Sequence, residues 1–224
     1  MKILEAKNIH KIYNPNSPEP VHALKGVSLS LESGEFVALV GRSGSGKSTL
    51  LYQLALLDTP NEGVVLIDGV DTSKLSDTER VNFRLGNIGY VFQDYALLPE
   101  LTLFENVSLP LVASGMPLAE VKKKVENTLE KLGLAGLEEH LPGELSGGQK
   151  QRGSIARAIV SEPKLLFADE PTANLDSVSS KQVLEAFKDL NKKYGQTILM
   201  VTHEPEDEQY VDRVLELKDG VLVN

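Results

Sequence analysis

The chain has 224 residues, 41% hydrophobic and 25% charged, with no cysteine and 23 basic against 32 acidic side chains for a net charge of −9. That is the size of one domain with a real core; it excludes disulfides and thiolate metal sites and argues against general nucleic-acid binding, which needs clustered Lys and Arg. No apolar run approaches the roughly 18 residues of a membrane-spanning helix, and MKILEAKNIH has no apolar leader core, so the expected location is the cytoplasm.

In chain order, the first segments read as strands. In VSLSL, Val27, Leu29 and Leu31 alternate with serines, the period of a half-buried antiparallel strand. NPNSPEP at 14–20 is a loop, because its prolines and asparagines break a ladder. FVALV at 36–40 is apolar throughout, as in a strand covered on both faces, and Leu50, Leu51, Leu54 and Leu57 then fall at helical spacing. From about 93 to 160 no strand pattern occurs. Leu118, Val121, Val125, Leu129 and Leu132 step by three and four between Pro117 and Gly133, an amphipathic helix with start and stop signals. LLFA (165–168), ILMV (198–201) and VLEL (214–217) read as further strands. A helix bearing Val183, Leu184, Phe187 and Leu190 precedes ILMV and stops at Gly195. Alternating strands and helices predict a mostly parallel α/β sheet, interrupted by a helical insert. The expected division is a single domain over 1–224, with a core at about 1–92 and 161–224 and a helical subdomain at about 93–160.

The turn after FVALV carries chemistry. Gly41, Arg42, Ser43, Gly44, Ser45, Gly46, Lys47, Ser48 and Thr49 spell G-x-x-x-x-G-K-[ST] between a strand and a helix, the phosphate loop of nucleoside triphosphatases. Its glycines let backbone N–H groups turn inward as a nest for phosphate oxygens. Lys47 brings charge to the β- and γ-phosphates, and Ser48 offers a hydroxyl to Mg²⁺. LLFADE at 165–170 ends a buried strand on two acids. Asp169 suits Mg²⁺, and Glu170 can polarise an attacking water as general base.

LSGGQ, Leu145 to Gln149, opens a helix continued by Ile155, Ala158 and Ile159. Ser146 can cap that helix, and Gly147 and Gly148 allow a ligand to approach closely, so this is a second anion site. The phosphate loop, LSGGQ and LLFADE in this order resemble the ATP-binding subunit of an ABC transporter, over essentially the whole chain. The resemblance implies a RecA-like P-loop NTPase fold with an N-terminal antiparallel β subdomain and a helical insert. It also implies ATP and Mg²⁺ as ligands. Tyr13 matches the aromatic residue that stacks on adenine, and Gln93 the glutamine that reaches Mg²⁺ and the attacking water. His203 matches the histidine at the γ-phosphate, and Asn174, Leu175 and Asp176 match a loop that crosses to a partner subunit. Catalysis is thereby assigned to Glu170, His203, Gln93 and Lys47, and Mg²⁺ to Ser48, Gln93 and Asp169. Lys150 stands where Gln or Glu is more usual, and Gly153-Ser154 where Val-Ala is more usual.

The resemblance further implies a head-to-tail homodimer, in which LSGGQ of one copy closes over ATP held by the other. Integral membrane subunits supplied by a separate chain are also implied, so the protein is expected to be peripheral at the cytoplasmic face of the membrane. LLPELT, ENV, LPL, TANLD and VTHEPEDEQYVDRVLELKDG resemble the group of lipoprotein-releasing and macrolide-exporting ATPases. Because the chain ends soon after LKDG, without the membrane domain of the exporters, release of lipoproteins is the expected function. The alternatives are macrolide or peptide export and a cell-division-type ABC ATPase that regulates without transport. A soluble kinase is disfavoured by LSGGQ and the Asp-Glu pair.

Overall fold

A computed structural model describes residues 1–223. In chain order these form β1 (Lys2–Tyr13), β2 (Val21–Glu32), β3 (Phe36–Val40), α1 (Lys47–Leu54), β4 (Glu62–Ile67), β5 (Val70–Asp71), α2 (Asp77–Asn87) and β6 (Ile88–Val91). There follow α3 (Leu103–Ala113), α4 (Leu118–Lys131), α5 (Gly147–Ile159), β7 (Leu165–Asp169), α6 (Ser177–Tyr194), β8 (Thr197–Val201), β9 (Arg213–Lys218) and β10 (Val221–Leu222).

The strands divide into two sheets. One is antiparallel, in the order β2-β1-β4-β5. The other runs β10-β9-β3-β8-β7-β6, parallel except where β10 returns on β9. In β7 and β8 all residues are buried, because helices or the other sheet cover both faces. Side-chain alternation sends Leu166, Ala168, Ile198 and Met200 into a core shared with α3, α4, α5 and α6. Leu165, Phe167, Leu199 and Val201 go into a second core with α1 and the antiparallel sheet.

Between β6 and β7 the chain is helical. α4 ends at Lys131 and α6 at Tyr194, with Gly133 and Gly195 beyond them in the left-handed region at φ 65° and 69°. Two leucines depart from the periodic reading. α1 stops at Leu54, because Leu56 turns left-handed at φ 58°, and Leu57 is left exposed. Leu118 begins α4 but projects outward at 77% exposure, so the buried face starts at Val121.

The topology places β3, β7 and β8 side by side, so that their C-terminal ends deliver Gly41, Asp169-Glu170 and Thr202-His203 to one edge. That is the edge at which open parallel sheets bind ligands.

Candidate nucleotide site

The phosphate loop is shaped by backbone that only glycine tolerates. Gly41 has φ 151°, and a Cβ there would lie 2.2 Å from the carbonyl oxygen of Leu217 on β9. Gly46 has φ 104°, and its Cβ would lie 2.6 Å from the oxygen of Ala23. Gly46 also begins α1 with no side-chain cap, so the first-turn N–H groups remain available to an anion. Lys47 is buried, and its ammonium donates to the carbonyls of Gly41 at 2.9 Å and Arg42 at 3.2 Å, which arches it over the loop.

Ser48, at the start of α1, donates its hydroxyl to Asp169 Oδ1 at 3.1 Å. Two hard oxygen donors from elements 121 residues apart thus meet beside the phosphate nest. This donor set fits Mg²⁺, which takes one or two protein oxygens and completes its shell with phosphate and water. Asp169 is buried, and burial, followed by the charge of Glu170, raises its pKa against the hydrogen bond from Ser48. Tyr90 on β6 donates to the other carboxylate oxygen at 3.4 Å, a partner that strand periodicity did not reveal.

Glu170 follows β7 at φ 43°, a left-handed conformation rare for a side chain of its size. Its N–H donates to the carbonyl of Val201 at 3.0 Å, and its Oε2 lies 3.4 Å from His203 Nδ1. Glu170 and His203, 33 positions apart in sequence, therefore face each other over Lys47 and Gly41, in a hollow of about 500 Å³.

A second hollow, of about 440 Å³, adjoins it and is lined by Tyr13, Gly44, Ser48 and Thr49. The Tyr13 hydroxyl donates to Asp58 at 3.3 Å, and the Lys11 ammonium lies 5.1 Å from the ring centroid. Asp58 also accepts from Lys11, Gln53 and the N–H of Thr59. Burial pushes its pKa up, but these donors outweigh burial and hold it below the ordinary value. The ring is thus fixed at its edge by Asp58 and flanked by the Lys11 cation. A hollow of about 570 Å³ near Tyr194 and Gln196 is larger, but it lies by the opposite strand ends, away from these groups.

Gln93 is exposed and lines neither phosphate-loop hollow; its carbonyl accepts from Asn174 Nδ2 at 3.1 Å. The Tyr95 hydroxyl donates to the Asn174 carbonyl at 3.4 Å. Asp176 caps α6 by accepting from the N–H groups of Val178 and Ser179, both at 3.0 Å, and the N–H and hydroxyl of Ser179, both donating to its carboxylate, hold its pKa low. Leu175 touches the turn of LSGGQ, the family's signature sequence, since a Cβ on Gly147 would lie 3.2 Å from its Cδ2. Ser146 caps α5, accepting from Gln149 N–H at 3.3 Å while Gln149 Oε1 accepts from Ser146 N–H at 2.8 Å. Leu145 is buried and anchors the turn. None of the residues from Leu145 to Gln149 lines either hollow, so within one chain the signature and the phosphate loop stay apart.

A third concavity, of about 530 Å³, lies between α2, β6, α3 and α5. Leu57, Val81, Leu85, Phe92 and Pro110 make it apolar, and Arg157 stands in its wall, donating to the carbonyls of Ala96 at 2.5 Å and Tyr95 at 3.2 Å. Tyr95 and Ala96 both have positive φ, so Arg157 holds an unusual turn next to Gln93.

The family profile described as ABC transporter matches residues 24–173. The chain is 47% identical over 222 residues to the lipoprotein-releasing system ATP-binding protein LolD of Aquifex aeolicus, covering 99% of this chain and 96% of that one. It is 45% identical over 224 residues to the macrolide export ATP-binding/permease protein MacB of Neisseria gonorrhoeae, all of this chain but 34% of that one. Among solved structures, a dimeric ATP-binding cassette in a post-hydrolysis state with ADP and Pi superposes with a TM-score of 0.90 at 40% identity, covering 99% of this chain and 97% of that one.

Proposed function

The chain belongs to the ABC transporter family as an ATP-binding, ATP-hydrolysing domain, and from that premise we propose that it drives a separate membrane partner that releases lipoproteins from the cytoplasmic membrane. The observation that carries the transported class is the 47% identity to a lipoprotein-releasing ATP-binding protein over nearly the full length of both chains. Similarity to a macrolide exporter at 45% supports export of an amphiphilic small molecule as the second reading.

In this reading the N–H groups of the phosphate loop and Lys47 bind the β- and γ-phosphates, and Tyr13 stacks on the base. Ser48 and Asp169 would hold Mg²⁺, joined by Gln93 from outside the two hollows, and the ion when bound would neutralise charge on the phosphate oxygens. Glu170 takes the proton of the attacking water as general base, and His203 hydrogen-bonds the γ-phosphate. Leu145, Ser146, Gly147, Gly148 and Gln149 of a second copy complete each site, with Asn174, Leu175 and Asp176 along the seam. Binding of ATP favours the paired state, and loss of the γ-phosphate releases it. Among the described residues no helix is long and apolar enough to cross a membrane. In the same reading the apolar groove of Leu57, Val81 and Phe92 would take a cytoplasmic segment of that partner, with the chain peripheral at the cytoplasmic face of the membrane.

The test is reconstitution with the co-purifying membrane protein in vesicles loaded with a lipoprotein. ATP should release the lipoprotein with wild-type chain and not with Glu170→Gln, which should still bind ATP and persist as a dimer. Release of a macrolide but no lipoprotein would favour the second reading, and rapid turnover by Glu170→Gln would remove the general-base role.

A further inference from the structure

Beside the catalytic edge lies a buried carboxylate that the mechanism above does not use. Asp207 is 3% exposed and sits in the turn 205–210 that follows His203. A single oxygen, Oδ2, accepts from Thr202 Oγ1 at 2.5 Å and from Thr172 Oγ1 at 3.4 Å. The first distance is that of a strong, charge-assisted O–H···O bond. Thr202 immediately precedes His203, and Thr172 lies two residues beyond Glu170. Both threonines are buried as well. The Thr202 hydroxyl also accepts from the N–H of Glu204 at 3.1 Å, so His203 is gripped from both sides.

We propose that Asp207 is a positioning residue for ATP hydrolysis, a brace whose one oxygen ties the Glu170 segment to the His203 segment. The inference rests on the roles given above to Glu170 and His203. Its physical ground is the backbone of Glu170. A glutamate at φ 43° persists only where its surroundings hold it there. On one side Glu170 N–H is anchored to Val201 of β8; on the other, Thr172 is tied through Asp207 to Thr202, again at the end of β8. The loop that carries the base is therefore pinned twice to the strand that carries the histidine. Burying a carboxylate there is unfavourable unless it is hydrogen-bonded, and the bonds it makes are to these two segments.

The test compares Thr202→Val/Asp207→Leu with Asp207→Asn in the full chain. The first variant replaces both partners of the short bond by apolar groups, an exchange that can be nearly neutral for stability. The second keeps an acceptor oxygen for Thr202. We expect the double variant to bind ATP with KM within about twofold of wild type while kcat falls about tenfold or more, the signature of misplaced reacting groups. Asp207→Asn should restore most of that loss. A folded double variant with kcat within about twofold of wild type, or a loss that Asp207→Asn shares in full, overturns the proposal. Should the double variant fail to fold, Thr202→Val against Thr202→Ser reads the same bond: a loss confined to Val supports the brace, and equal activities overturn it. Glu170→Gln and His203→Ala are measured alongside. If they retain turnover, the underlying catalytic assignment fails; if they lose it while the brace variants do not, only the brace fails.

Discussion

Single side chains at this site work by being over-determined. Lys47 is held by two carbonyls of its own loop, and Tyr13 by Asp58, which Lys11 and Gln53 hold in turn. This second network has a pH consequence. The folded pKa of Asp58 lies below the ordinary carboxylate value of about 3.9, so its contribution to stability is fully present above that value and is lost as pH falls through the lowered one. Asp58→Asn should therefore melt a few degrees below wild type at neutral pH, and the gap should close under acid conditions. A gap that stayed constant down to pH 3 would show that the charge of Asp58 is not what stabilises. The residues of the three contiguous motifs were legible because their spacing is local. Asp58, Tyr90 and Asp207 were not, since each acquires its meaning from a partner on another element: Tyr13 and Lys11, Asp169, and Thr172 with Thr202.

At the scale of elements, two helix starts show opposite solutions. α1 begins uncapped at Gly46 and leaves its N–H groups to an anion, whereas α5 begins with Ser146 and Gln149 capping each other. In that cap Ser146 Oγ is an acceptor, so its O–H can still donate to a phosphate. Ser146→Arg should leave ATP binding by the single chain intact, because Ser146 lines neither phosphate-loop hollow, yet block dimer formation driven by ATP. Sedimentation with ATP decides this; a normal dimer would exclude Ser146 from the closing surface. Strands β3, β7 and β8 of the parallel sheet were legible as uninterrupted apolar runs and β9 by VLEL, whereas β6, only four residues long and carrying Gly89, was not read as a strand. α2 and α3 were not found by periodicity, although Ser76–Glu79 and Thr102–Glu105 form capping boxes at their starts. The reason differs in each. α2 buries none of its residues, and α3 is apolar nearly all round and carries Pro110. The departure at Gly153 also gains a physical reading, since a Cβ there would come within 2.7 Å of Leu103 Cδ1, and α3 packs close to α5 at that point.

For the whole molecule, the parallel sheet is a wall between two cores, one shared with the helical insert and one with the antiparallel sheet. The nucleotide groups sit on the rim of that wall, and the signature end of α5 stands away from them. Under the pairing proposed above, this separation turns geometry into mass action. A lone chain owns half of two different reaction centres and all of none. Activity per chain in dilute solution should therefore climb with protein concentration and level off once pairs predominate; specific activity independent of dilution would argue for a self-sufficient monomer. Two copies docked on one membrane partner would face each other at an effective concentration set by the scaffold and not by their abundance. Turnover by dispersed copies would then be suppressed by simple dilution, and ATP consumption confined to the assembled machine.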